Sequence, residues 1–219
     1  MSKLTLRTIL LLSMLLLGNV NFVRAQRVSP YFGLGSVKDS AGTSAAQGCP
    51  AGQLFDGVIC EAAPTMGGLF GVAGVDFMFK PHLGINGEYA FRFRRAPFLP
   101  GDSLDMRPTF YDLNAVWQPV SGKRAAPFLE GGVGVARVAL YSTQTTSITG
   151  ITSTSGFPAG SDRNHFQLHG AIGLKIYIRG NLFVKPQFDL HYATHLTDQF
   201  GRNLVVQYTG SVGYTFGGR

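Results

Sequence analysis

Apolar and polar residues alternate along this chain with a period of two. In the closing stretch "NLVVQYTGSVGYTFGGR", every second residue from Leu204 is apolar, aromatic or Gly: Leu204, Val206, Tyr208, Gly210, Val212, Tyr214 and Phe216. Most of the residues between them, Val205, Gln207, Thr209, Ser211, Gly213 and Thr215, are small or polar. That period is a β-strand with two unlike faces. The same test marks eight segments, roughly 28–37, 67–80, 82–95, 107–118, 127–141, 164–178, 182–195 and 203–216. The sixth is the clearest. In "HFQLHGAIGLKIYI" one face is Phe166, Leu168, Gly170, Ile172, Leu174, Ile176 and Ile178, and the other is His165, Gln167, His169, Ala171, Gly173, Lys175 and Tyr177.

The connections alternate in length. Those at 38–66, 96–106 and 142–163 are long, and those at Pro81 and Gly180 are short. "PVSGKRAA" is intermediate, and "TDQFGR" breaks the alternation. An even strand number with alternating short turns and long loops predicts an all-β, eight-stranded antiparallel up-and-down transmembrane β-barrel, with the apolar face toward lipid. Seven apolar positions spaced by two span about 12–14 residues, enough at a 40° tilt to cross an apolar band of about 25 Å. Aromatics near segment ends, among them Trp117, Tyr192, Tyr208, Tyr214 and Phe216, fit membrane interfaces. A soluble lipocalin-like barrel would invert the faces. Its strands need not be this long, and its Gly-x-Trp start is missing here.

The amino terminus sets the compartment. Lys3 and Arg7 precede an apolar run, Ile9 to Leu17, and Val23 and Ala25 form a small-residue cleavage site. This predicts a signal peptide over residues 1–25, cleaved after Ala25, and one barrel domain over 26–219. The run is too short to span a membrane as a helix. Removing 25 of the 219 residues leaves 194, and the loss of Lys3, Arg7 and Arg24 lowers the net charge from +7 to +4. With no basic run, nucleic acid is not expected as a partner. Cys49 and Cys60 bracket "CPAGQLFDGVIC"; in an exported protein such a pair predicts a disulfide.

On the polar face lie Asp76, Glu88, Asp112, Glu130 and Asp189, and Lys80, Arg92, Arg94, Lys175 and Lys185. Five acids and five bases predict a balanced lumen charge network, in which Glu130 bridges Lys175 and Lys185. Inward Tyr31, Phe70 and Tyr177 add bulk, so a plugged lumen is expected. Four histidines share that face. If Ile178 faces Leu182, then His169 faces His191 and His165 faces His195, as two stacked pairs four residues apart. No metal site or cofactor is expected. The four histidines are only secondary metal candidates, each pair lacking a third ligand unless Asp189, Asp162 or Asp198 reaches it.

The opening strand "SPYFGLGS", the strand "PFLEGGVGVAR" and the closing "VQYTGSVGYTF" resemble small outer-membrane β-barrels of the OmpA/OmpX type, over residues 27–219. The chain departs from that type at its end, where Gly217, Gly218 and Arg219 follow Phe216. The resemblance implies a bacterial outer-membrane location, contact with outer-membrane lipid and with the barrel-assembly machinery, and a structural or surface-interaction role such as adhesion or membrane integrity. An extracellular partner would meet the loops 38–66 and 142–163. The run "STQTTSITGITSTSG" alternates Thr and Ile, a pattern that extends strands five and six beyond the membrane. An enzyme is not expected. A lipid-modifying outer-membrane enzyme of this size uses a His and a Ser two residues apart, whereas "DLHYATHLTD" has Ala193 two residues after His191. A narrow solute or ion channel is the other alternative. "GGVGVAR" and "GGLFGVAG" precede no helical pattern, so they are not dinucleotide loops.

Overall fold

The computed structural model describes residues 26–39, 54–55, 58–59, 65–97, 104–120, 122, 124–148, 151–158, 163–196 and 203–217. The signal peptide and both cysteines lie outside these residues. Eight strands form the barrel wall: β1 (Arg27–Asp39), β2 (Gly68–Met78), β3 (Leu83–Arg92), β4 (Leu104–Trp117), β5 (Ala125–Ile148), β6 (Arg163–Arg179), β7 (Leu182–Ala193) and β8 (Leu204–Tyr214). Each pairs antiparallel with its neighbour in the chain. The wall closes where β8 pairs with β1 through contacts such as Leu34–Gly210 and Ser36–Tyr208. Closure leaves no strand edge unpaired, which a hydrocarbon environment demands.

Burial follows the period of two, and it answers which face looks inward. Val205, Gln207, Thr209 and Ser211 of β8 are buried, whereas Tyr208, Val212 and Tyr214 are exposed. The same holds around the barrel: Phe32, Leu34, Ile85, Leu113, Val133, Phe166, Leu168, Ile172 and Leu190 all face outward. A continuous apolar exterior around a closed barrel is a lipid-facing surface. Trp117, Phe79, Tyr214 and Phe216 are exposed at the end that carries the short turns.

The turn between β6 and β7 is two residues long, Gly180 and Asn181, and Gly180 has a φ of 56°. A glycine with positive φ at the first turn position suits a hairpin of this length. The ladder shifts between Tyr177 and Arg179, then runs in register from Tyr177–Phe183 to Gln167–Ala193. The expected alignment of these strands therefore holds above the turn.

At the opposite end, β5 is longer than its periodicity predicts, because hydrogen bonding outlasts the lipid-facing pattern. Beyond Tyr141 it pairs with Ile151–Pro158, from Tyr141–Pro158 to Ile148–Ile151. The expected extension of strands five and six is present as backbone. Leu54–Phe55 pairs with Val58–Ile59 between the two cysteines, and Ala96–Pro97 pairs back onto β4.

Candidate functional site: a closed polar core in the lumen

The lumen is layered. Near the loop end, inward positions are apolar: Val37, Met66, Phe70, Val72, Met106, Phe110, Val138, Leu196 and Val205 are buried in one cluster. Near the turn end, Met78, Val116 and Phe128 form a second cluster, and Tyr177 meets Phe183 edge-on. Ionisable and amide side chains fill the middle. An eight-stranded barrel is just wide enough for side chains to occupy it. Packing is close: a Cβ on Gly74 would collide with the ring and hydroxyl of Tyr31.

Two lysines anchor the lower half of the polar core. Lys175 Nζ lies 2.6 Å from Asp76 Oδ2. Lys185 Nζ lies 3.0 Å from Glu130 Oε1 and 3.6 Å from Asp76 Oδ1. The ammonium of Lys185 also sits over the rings of Tyr31 and Phe128. All four ion-pair partners are buried. The residue that joins the two lysines is thus Asp76, from β2 across the barrel, and Glu130 serves Lys185 alone. The expected Glu130 bridge fails because the Asp76 carboxylate, reaching across the lumen, takes up Lys175 instead. Lys175 and Lys185 both stand four ladder positions from the level of Glu130, and only Lys185 turns its ammonium toward it.

Amides connect this pair to the upper half. Asn86 donates to Asp76 Oδ1 at 2.6 Å and to the Tyr31 hydroxyl at 2.8 Å. Tyr31 donates to Glu88 at 2.6 Å, and Gln187 donates to Glu88 and to Asp189. Asn114 donates to Asn86 at 3.1 Å and meets His169 Nδ1 at 2.9 Å through its carbonyl. His169 Nε2 lies 3.3 Å from Asp189 Oδ1. Thr209 donates to Asp189 Oδ2 at 3.4 Å, and Gln167 donates to Asp112 at 2.6 Å. Buried polar groups need such partners. Asn86, Asn114, Gln167, Gln187 and Thr209 were not singled out in the sequence, although each occupies an inward position.

His169 and His191 do face each other. Their rings stack at 4.6 Å, and Phe110 stacks on the other side of His191, also at 4.6 Å. The second expected pair does not form. The ladder ends at Gln167–Ala193, and the chain enters a turn in which His195 is exposed with a φ of 60°. His165 Nδ1 instead lies 3.1 Å from the Thr194 carbonyl oxygen.

The expected charge balance also fails. Lys80 and Arg94 are exposed beyond the strand ends. Arg92 is half-buried at the loop-end mouth, 3.4 Å from the Thr65 carbonyl, away from the core. Five buried carboxylates, those of Asp76, Glu88, Asp112, Glu130 and Asp189, therefore share the interior with two lysines and two histidines.

No protein-family model and no curated protein sequence matches the chain. Among solved structures it is similar to Neisserial surface protein A, with a TM-score of 0.52 and 11% identity, covering 87% of this chain and 97% of that one. It is equally similar to the outer-membrane protein OprG of Pseudomonas aeruginosa, with a TM-score of 0.52 and 13% identity, covering 89% and 98%. With its closed wall, lipid-facing exterior and short-turn end, the chain has the architecture of the small eight-stranded outer-membrane β-barrels.

Proposed function

We propose that this protein is a non-enzymatic outer-membrane barrel with a plugged lumen, acting in membrane integrity or surface interaction. The observation that carries the reading is the polar core closed between two apolar layers. Such a barrel offers the cell its rim rather than a passage. The rim supports this use, since the β5 ladder continues seven residues past Tyr141, about 23 Å at strand rise. Segments 38–66 and 142–163 are the contact surface for an extracellular partner. Outer-membrane lipid surrounds the wall, the barrel-assembly machinery inserts it, and nucleic acid plays no part. Cleavage after Ala25 and a Cys49–Cys60 disulfide belong to the same reading; the short Leu54–Phe55 and Val58–Ile59 ladder turns the chain back between the cysteines.

The hydrolase alternative is disfavoured at the stretch nearest to its His-Ser motif. His191 is fully buried against Phe110 inside the barrel, and Ala193 stands where a nucleophile is needed.

Protease shaving of intact cells tests the surface role. Cleavage inside 142–163 and none at 120–126 is expected; the reverse would overturn the orientation. Mass spectrometry of lipid A from cells with and without the protein tests the enzyme alternative, and loss of an acyl chain would replace this reading.

A further inference from the structure

We propose that Asp112, His169 and His191 bind one divalent transition-metal ion of the zinc or nickel class inside the lumen, with Asp189 orienting His169. Each of the three residues offers a ligand atom, and these atoms all lie within 4.8 Å of one another. At zinc–ligand distances of about 2.0–2.1 Å, tetrahedral ligand atoms stand about 3.4 Å apart. Coordination therefore needs side-chain rotations that turn the stacked His169 and His191 rings toward one point and close the group by up to about 1.4 Å.

Two independent observations point to a ligand here. Neither ring nitrogen of His191 has a hydrogen-bond partner, and the residue is fully buried. An imidazole in that position forfeits its solvation with no return unless something binds it. Its Nδ1 faces Asp112 Oδ2 at 3.7 Å, and that oxygen likewise accepts no hydrogen bond. The second observation is charge. With five buried carboxylates, two buried lysines and a His169 whose two nitrogens both face acceptor oxygens and so both carry protons, two negative charges remain when all are ionised, and buried charges require compensation. A divalent ion supplies two positive charges where two imidazoles and a carboxylate can hold it.

The surroundings complete a site of this kind. His169 contacts Asp189 with one nitrogen, the carboxylate–histidine arrangement that fixes the tautomer of a metal-bound imidazole. Its Nδ1 faces the Asn114 carbonyl oxygen, so that contact and the Nδ1 proton are given up on coordination while the Asp189 contact stays. Nitrogen and oxygen ligands favour zinc, nickel or copper over calcium or magnesium. Phe110 covers His191, so the ion enters most readily while the barrel folds.

The test refolds the untagged chain in detergent with equimolar zinc, desalts it, and measures bound metal by atomic emission. About one zinc per barrel is expected, together with a raised unfolding temperature. His191→Ala and Asp112→Asn should each retain at least about tenfold less zinc, and Asp189→Asn should weaken binding by about 10–100-fold. His165→Ala should retain the wild-type amount. Cobalt(II) bound to the unsubstituted chain should give the visible absorption of a tetrahedral nitrogen–oxygen site, a readout that needs no variant to fold. Failure of the unsubstituted barrel to retain zinc, or equal retention by His191→Ala and Asp112→Asn, would overturn the proposal. The plugged-barrel reading would stand in either case.

Discussion

His169 and His191 are ladder partners with stacked rings, yet their environments are opposite. His169 is held at both nitrogens by Asn114 and Asp189, and His191 at neither. Substitution should expose the difference. In metal-free protein, His169→Leu removes the partner of the Asn114 carbonyl oxygen and one of the partners of Asp189, a loss of about 2–3 kcal/mol. His191→Leu strands nothing and should change stability by less than about 1 kcal/mol. Urea unfolding of refolded barrels measures both; equal losses would show that the stacking, not the hydrogen bonding, sets their worth.

Lys185 answers two carboxylates, Asp76 and Glu130. Lys185→Met should cost about 3–5 kcal/mol, because it leaves buried charge uncompensated. Adding Glu130→Gln should restore part of the loss. A double-mutant cycle in the same unfolding assay checks this, and strict additivity would mean that the pair is not coupled.

Two glycines in adjacent strands should respond differently to Ala. At Gly74 a Cβ would strike Tyr31, whereas at Gly87, on the lipid side, nothing lies within 4 Å. Gly74→Ala should destabilise by about 1–3 kcal/mol through overpacking. Gly87→Ala should be near neutral. The heat-induced gel shift of the folded barrel, followed against temperature, compares them.

Cys49 and Cys60 should resist alkylation in the purified, non-reduced protein, and replacing both should leave heat-modifiable folding intact. The barrel closes by β1–β8 pairing, a ladder that includes neither cysteine. Reactive thiols would count against the bond.

The wall was legible because lipid and lumen impose a strict period of two. Each of the eight segments from 28–37 to 203–216 corresponds to a strand, and the Gly180 turn aligned His169 with His191. The interior was less so. Alternation says that Glu130, Asp76 and Lys175 point inward, but partners across a lumen depend on the depth at which each strand delivers its side chain. Asp76 reaches both lysines from the far wall, a relation that no local spacing encodes. Alternation also stops informing where a strand leaves the membrane. Lys80, Arg94 and His195 kept the inward phase in sequence while the chain had already turned out. The two apolar layers were missed for a related reason: Val72, Met106 and Phe110 lie in the inward phase of separate strands, and their stacking becomes visible only once eight strands are set side by side.

Single-barrel conductance in planar lipid bilayers tests the closed lumen most directly. Phe70, Phe110 and Met106 are buried above the polar core and Met78, Val116 and Phe128 below it. Inserted barrels should therefore show no resolved current steps above baseline in molar salt. Large, stable steps that recur with each insertion would contradict a plugged barrel and make the protein a channel.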